Sequence, residues 1–155
     1  MTAIMTRTGS DLGEVATKIS PKILGFTGTR QGMSAQQNIS INLLTMGQYT
    51  EIHHGDCVGA DEAMDLIAEN NGIRRVIHPP LDSKLRAYCK GDIILLPKEY
   101  LARNRAIVKA CDTLIGCPAE TSPQNRSGTW YTIRHAIKIG LQVIVVWPDG
   151  TTWVT

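Results

Sequence analysis

The sequence predicts a single α/β domain with a Rossmann-like, doubly wound, mostly parallel sheet, and three observations carry that prediction. Short apolar runs at Lys22–Phe26, Arg74–His78, Thr113–Cys117 and Leu141–Trp147 alternate with helical patterns of roughly 10 to 15 residues. The last of these runs is nearly unbroken, as expected of a strand covered on both faces. Gly28, Gly55 and Gly128 stand in loops expected at the carboxyl ends of strands, the edge where such sheets bind ligands.

Residues 1–20 are rich in Thr, Ser and Gly and lack sustained periodicity, so they read as a flexible or oligomer-contacting arm ahead of a domain over 21–155. Lys22–Phe26 is a buried strand stopped by Thr27-Gly28. Ser34 is a helix N-cap, and Ile39, Leu43 and Met46 recur at helical spacing before Gly47 closes the helix. Tyr49–His54 alternates weakly and predicts a second strand ending at Gly55-Asp56. Ala60, Ala63, Met64, Ile67 and Ala68 then form one helical stripe, with acidic residues in the first turn where they suit the helix dipole.

Arg74–His78 is a third strand, halted by Pro79-Pro80. Residues 81–96 carry no clear pattern: Ser83–Lys90 is compatible with a helical turn and Ile93–Leu96 with a short extended piece. Pro97 suits the first turn of a helix reaching Ala110, and Thr113–Cys117 is a fourth strand. A proline-containing loop over Pro118–Arg126 precedes a helix whose inner face is marked by Ile133, Ala136, Ile137 and Gly140. Leu141–Trp147 is a nearly unbroken apolar strand.

A chain of 155 residues, 43% apolar and 19% charged, has the composition of one soluble globular domain and is too short for two ordinary ones. No apolar window is long enough to span a membrane, and the first 20 residues have no apolar signal core, so a cytoplasmic location is expected. A net charge of +2 does not suggest bulk nucleic-acid binding. Cys57, Cys89, Cys111 and Cys117 have no CxxC spacing and read as free thiols. His53 and His54 would leave a strand on opposite faces with no second Cys/His pair nearby, so neither a metal nor a cofactor is expected.

Three loops carry the chemistry. Thr27-Gly28-Thr29-Arg30-Gln31-Gly32-Met33-Ser34 is neither a dinucleotide fingerprint nor a Walker loop. Its glycines serve either a plain strand-to-helix turn or close approach to an anion, with Arg30 placed to clamp phosphate. In Gly55-Asp56-Cys57-Val58-Gly59-Ala60-Asp61, Asp61 is either a helix-dipole partner or an acceptor for a ribose hydroxyl. Arg103, Asn104 and Arg105 point about 100° apart on a helix, so at most two can line one site. Ser127-Gly128-Thr129 is either an ordinary N-cap or an anion seat at a helix start. Trp130, Tyr131, Trp147 and Trp153 serve packing, oligomer contacts or base stacking.

In order, these elements are an apolar strand then GTRxG, a strand then GDxxGAD, RNR on a helix, and a strand then SGT opening a helix. That series resembles the SLOG superfamily, named for the DNA-processing Smf proteins and the Lonely Guy phosphoribohydrolases, over roughly residues 22–148. The resemblance implies a Rossmann-like fold whose loops hold a nucleotide or nucleotide-derived ligand. It places Gly28, Thr29, Arg30, Gly32, Gly55, Gly59, Asp61, Arg103, Arg105, Ser127, Gly128 and Thr129 around that ligand, and Ser34, Asp56, Ala60 and Asn104 from the same segments complete the expected ligand-binding set. The acidic residues of the phosphoribohydrolase motif are replaced by Tyr131 and Thr132, and its diglycine by Arg126-Ser127, so no catalytic residue is assigned. The expected function is binding of a nucleotide or ADP-ribose-like signalling molecule by a homo-oligomeric sensor, carrier or sequestering protein. The alternatives are a nucleoside-monophosphate N-glycosidase using Asp56, Asp61 or Glu120, and a single-stranded nucleic-acid binder.

Overall fold

The computed structural model describes residues 22–155, so the expected N-terminal arm lies outside the described residues. In chain order the elements are β1 (Ile23–Gly28), α1 (Ala35–Thr45), β2 (Glu51–His54), α2 (Ala60–Asn70), β3 (Arg74–Ile77), a 3-10 turn (Ser83–Leu85), β4 (Ile93–Ile94), α3 (Tyr100–Ala110), β5 (Thr113–Cys117), α4 (Gly128–Lys138), β6 (Gln142–Val146) and β7 (Thr152–Val154). They form one α/β Rossmann-like domain around a seven-stranded sheet of order β4-β3-β2-β1-β5-β6-β7, parallel throughout except for β7. No described helix is long and apolar enough to cross a membrane.

The two-residue periodicity of the strands sends alternate side chains to two cores. On one face Leu24, Ile52 and Ile115 pack with Ile41 of α1 and Met64 and Ile67 of α2. On the other, Leu114, Val143 and Val145 pack with Ile107 of α3 and Ile133 of α4. The strand order leaves β1 at the centre, with β2 and β5 paired to its two sides. That reversal of winding opens a crevice beyond the carboxyl ends of the three strands.

Three expectations are corrected. First, Ile39, Leu43 and Met46 of the first helical pattern face solvent, while Gln37, Ile41 and Thr45 are buried. Periodicity located the helix but named the wrong face. The right face is polar because the Gln37 amide donates to the carbonyls of Pro118 (2.8 Å) and Val146 (3.0 Å), satisfying chain ends that no strand partner reaches. Second, α3 starts at Tyr100 rather than Pro97. The Glu99 carboxylate caps it from Leu101 and Ala102 N–H groups, and Lys98 is instead held in extended pairing with Pro79 and Leu81. Third, Ile137 is 39% exposed and Gly140 lies beyond α4 at φ 85°. Beyond those expectations, Thr152–Val154 adds the antiparallel strand β7, made possible by a turn in which Trp147 N–H donates to Thr151 O.

At the carboxyl ends of β2 and β3, His53 Nδ1 and His78 Nε2 lie at hydrogen-bonding distance (2.8 Å), while His53 Nε2 meets Glu51 Oε1 at 2.8 Å. His54 points to the opposite face, as the alternation of a strand requires, and donates to Asp65. Burial, reinforced by the neighbouring His53 and Arg103, lowers the His78 pKa to about 3.

Two measurements check these assignments. Ile41→Ala is expected to cost about 2–5 kcal/mol by equilibrium denaturation, whereas Leu43→Ala should stay within about 0.5 kcal/mol because Leu43 is 67% exposed. Because the folded His78 pKa lies below the unfolded value of 6.5, the unfolded chain binds more protons as pH falls from about 6.5 towards 3, and stability is lost over that window. His78→Gln should remove up to about 1.4 kcal/mol per pH unit of that slope, read from urea midpoints between pH 7 and 4.5.

Candidate functional site

The crevice at the winding reversal is a cleft of about 410 Å³ lined by the loops after β1, β2 and β5 and by the first turns of α3 and α4. Backbone bonds knit the three loops together. Thr29 N–H donates to Cys117 O (3.0 Å), and Ala60 N–H donates to Thr29 O (2.9 Å). Gly59, at φ 97°, lies so close to the Arg30 carbonyl that a Cβ would sit 2.4 Å from its oxygen. Only glycine permits that contact.

One wall is the start of α4. Ser127 Oγ accepts from Trp130 N–H at 3.3 Å, which makes Ser127 the N-cap and leaves the Gly128 and Thr129 N–H groups without helical partners. Gly128 is required here by Tyr100, whose hydroxyl occupies the position a side chain would fill, 1.4 Å from an ideal Cβ. Arg30 and Arg103 both lie 5.5 Å from the centre of the Tyr100 ring, so this aromatic side chain gathers the two cations beside the helix start.

Arg103 is the deepest cation and is 3% exposed. Its Nη1 donates to the carbonyls of Gly55 and His78, its Nε to Asn104 Oδ1 (2.7 Å), and its Nη2 faces Cys57 Sγ at 3.6 Å. Four of the five guanidinium donors are therefore spent on the protein. A Cβ on Gly55 would come within 2.7 Å of Arg103 Nη1 and 2.9 Å of Asp61 Oδ2, so glycine here lets a cation and a carboxylate share the floor.

Burial raises the Asp61 pKa, against the lowering influence of His54 and Arg103. The Cys57 thiol is pushed up by burial and by Asp61, which keeps it protonated and a poor nucleophile at neutral pH.

Of the residues expected to bind ligand, Gly28, Thr29, Arg30, Gly55, Asp61, Arg103, Asn104, Ser127, Gly128 and Thr129 line the cleft. The others lie outside its lining. Asp56 is wholly buried and straps the 86–89 loop, accepting from Arg86 Nε (2.7 Å) and Cys89 N–H (2.9 Å). Arg105 is exposed and donates to the Tyr131 hydroxyl. Ser34 caps α1 and donates its own proton to Pro148 O. Gly32, Gly59 and Ala60 shape the turns behind the lining, with Ala60 packed on Gly28.

Tyr100, Gln31 and Arg126 line the cleft without having been singled out as ligand residues. Arg126 carried a legible signal, since a cation just ahead of a Ser-Gly-Thr helix start adds its charge to the positive end of that helix. Tyr100 carried none, because only the fold brings it over Gly128. Neither Tyr131 nor Thr132 lines the cleft. Thr132 is buried and donates to Gly128 O, and Tyr131 stacks on His135. The carboxylates that do reach it are Asp61 and Glu120, and Glu120 accepts from the Trp130 indole at 3.1 Å.

His54, Asp65 and Cys89 offer ligand atoms within 4.8 Å of one another, a spacing a metal ion could use. The hydrogen bonds argue against it. His54 Nδ1 accepts from Asp56 N–H, so its proton sits on Nε2 and is donated to Asp65, leaving no lone pair for a cation. Asp65 is also engaged by Arg75 at 2.9 Å.

No protein-family profile and no curated protein sequence matches this chain. Solved structures do. The molybdenum cofactor binding protein of the phototrophic bacterium Rippkaea orientalis superposes with a TM-score of 0.68 at 20% identity, over 85% of this chain and 80% of that one. DNA processing protein A of Streptococcus pneumoniae gives a TM-score of 0.60 at 26% identity, over 81% of this chain but only 50% of its own. The Moco carrier protein of Chlamydomonas reinhardtii gives 0.61 at 17% identity, over 81% and 76%. The sheet order, the glycine-lined cleft at the winding reversal and these likenesses together establish that the chain has the SLOG-type Rossmannoid fold.

Proposed function

We propose that this protein binds a phosphorylated small molecule of the nucleotide or ADP-ribose type, and holds or carries it rather than converting it. One observation carries the reading. The two unpartnered N–H groups at the start of α4 share the cleft with Arg30 and Arg126, neither of which has a carboxylate partner among the described residues. Backbone donors, the positive end of a helix and two guanidinium groups without a carboxylate partner converge where an anion would sit.

A carrier role is supported by two of the similar structures, which are described as binding or carrying the molybdenum cofactor. That cofactor belongs in the ligand panel with nucleotides. The site's chemistry also favours holding over turnover. Tyr131 and Thr132 stand away from the cleft, Glu120 is engaged by an indole N–H, and Cys57 is held as a thiol.

A thermal-shift panel of nucleotides, ADP-ribose derivatives and the molybdenum cofactor should contain a compound that raises Tm, since a ligand at a hundredfold excess over its Kd adds about 2.7 kcal/mol. Arg30→Ala and Arg126→Ala should each weaken that ligand about tenfold or more while leaving the unliganded Tm unchanged. Arg103→Ala should instead lower the unliganded Tm, because it strips two buried carbonyls of their donor. A panel with no stabilising compound overturns the proposal.

A stoichiometric incubation tests holding against turnover. Chromatography after denaturation should return the bound molecule intact after many hours. Free base and ribose phosphate in multiple turnovers, abolished by Glu120→Gln, would establish the N-glycosidase instead.

A further inference from the structure

Asp61 is the second residue of α2, where an acidic side chain usually faces solvent and complements the helix dipole. Here it does something else. The residue is only 6% exposed, and its Oδ2 turns back to accept from Cys57 N–H at 3.1 Å, closing the loop between β2 and α2. Its Oδ1 has no partner among the described residues, yet it is not sealed off from solvent: the exposed part of Asp61 belongs to the cleft lining. Among the described residues no cation forms an ion pair with it, and Arg103 spends its Nη1 donors on carbonyls. A carboxylate taken from water without an ion pair and with one open acceptor weakens the fold. A ligand donor would satisfy it.

The topology gives that donor a place. Asp61 follows β2 and Ser127–Thr129 follow β5, and both line the one cleft, with Ala60 beside Asp61 packed on Gly28 at the end of β1. A bare phosphate at the start of α4 offers a carboxylate acceptor oxygens and like charge. A phosphate carrying a sugar or heterocycle brings a donor as well. Resting on the anion-binding reading above, we infer that Asp61 is the specificity-determining residue of the cleft: its Oδ1 accepts a hydroxyl or amine proton from the far end of the ligand and disfavours anions that lack one. Arg30, Arg126 and the helix start would thus recognise charge, and Asp61 would recognise what the charge is attached to.

The test is calorimetric titration of the wild type and Asp61→Asn with inorganic pyrophosphate, ribose 5-phosphate and 2′,3′-dideoxy-AMP. The first probe has no sugar or base donor, the second offers hydroxyls without a base, and the third a base amine without the diol. Asp61→Asn is expected to weaken ribose 5-phosphate or dideoxy-AMP at least tenfold and to leave pyrophosphate unchanged or tighter, and the probe that suffers identifies the donor read. Equal losses on all three probes, or no loss on any, overturn the assignment. Wild-type protein that binds none of the three overturns the anion-binding reading and this inference with it. A second readout needs no variant: the Asp61 carboxyl 13C titration should move down in pH with the donor-bearing probe and up with pyrophosphate, and an upward movement with all three refutes the contact.

Discussion

The carboxyl edge of this sheet depends on a buried guanidinium. Past their last residues, parallel strands run out of neighbours, and their carbonyls must find donors elsewhere or lose stability. Arg103 reaches from α3 to the carbonyls of Gly55 and His78, just beyond β2 and β3. On the opposite face, Gln37 of α1 does the same for Pro118 after β5 and Val146 at the end of β6. One side chain from each helical layer therefore satisfies each half of the sheet, and the gap between the halves is the cleft. The strand-end loops can be short and glycine-rich there because buried side chains, rather than longer loops, satisfy the backbone.

That division of labour separates two kinds of positive charge. A guanidinium with four donors committed to the protein is a structural group that also lends its field to the cleft. Arg30 and Arg126, on the exposed rim, have no such commitments among the described residues, and they are the cations a ligand can engage. Tyr100 connects the two sets, with both Arg30 and Arg103 against its ring and its hydroxyl over Gly128. The proposed anion seat would thus be preorganised by aromatic packing before any ligand arrives, which would reduce the ordering cost of binding.

The neighbouring Asp56 belongs to a different task. It sits at φ 57°, a conformation that a non-glycine residue tolerates only when its surroundings fix it, and four bonds do so: its N–H to His54, its carbonyl from Ala87, and its carboxylate from Arg86 and Cys89. The GDxxGAD stretch therefore splits between a strap for the following loop at Asp56 and a cleft acceptor at Asp61. Two carboxylates five residues apart have opposite fates because a strand end and a helix start point them apart.

Local pattern determined much of this protein. Apolar runs and helical stripes located β1, β2, β3, β5, β6 and α2, and glycine-bearing loops at strand ends marked the edge where the cleft lies, because strand period, helix period and turn chemistry are properties of neighbouring residues. Face and partnership were not legible in that way. Nothing local distinguishes Ile41 from Leu43, or announces that a glutamine will be the buried residue of its turn. Nothing within Arg103-Asn104-Arg105 says which arginine meets the carbonyls of two strands and which meets Tyr131. Those outcomes were decided by tertiary structure, since they depend on which unsatisfied backbone groups the sheet order brings within reach of each side chain.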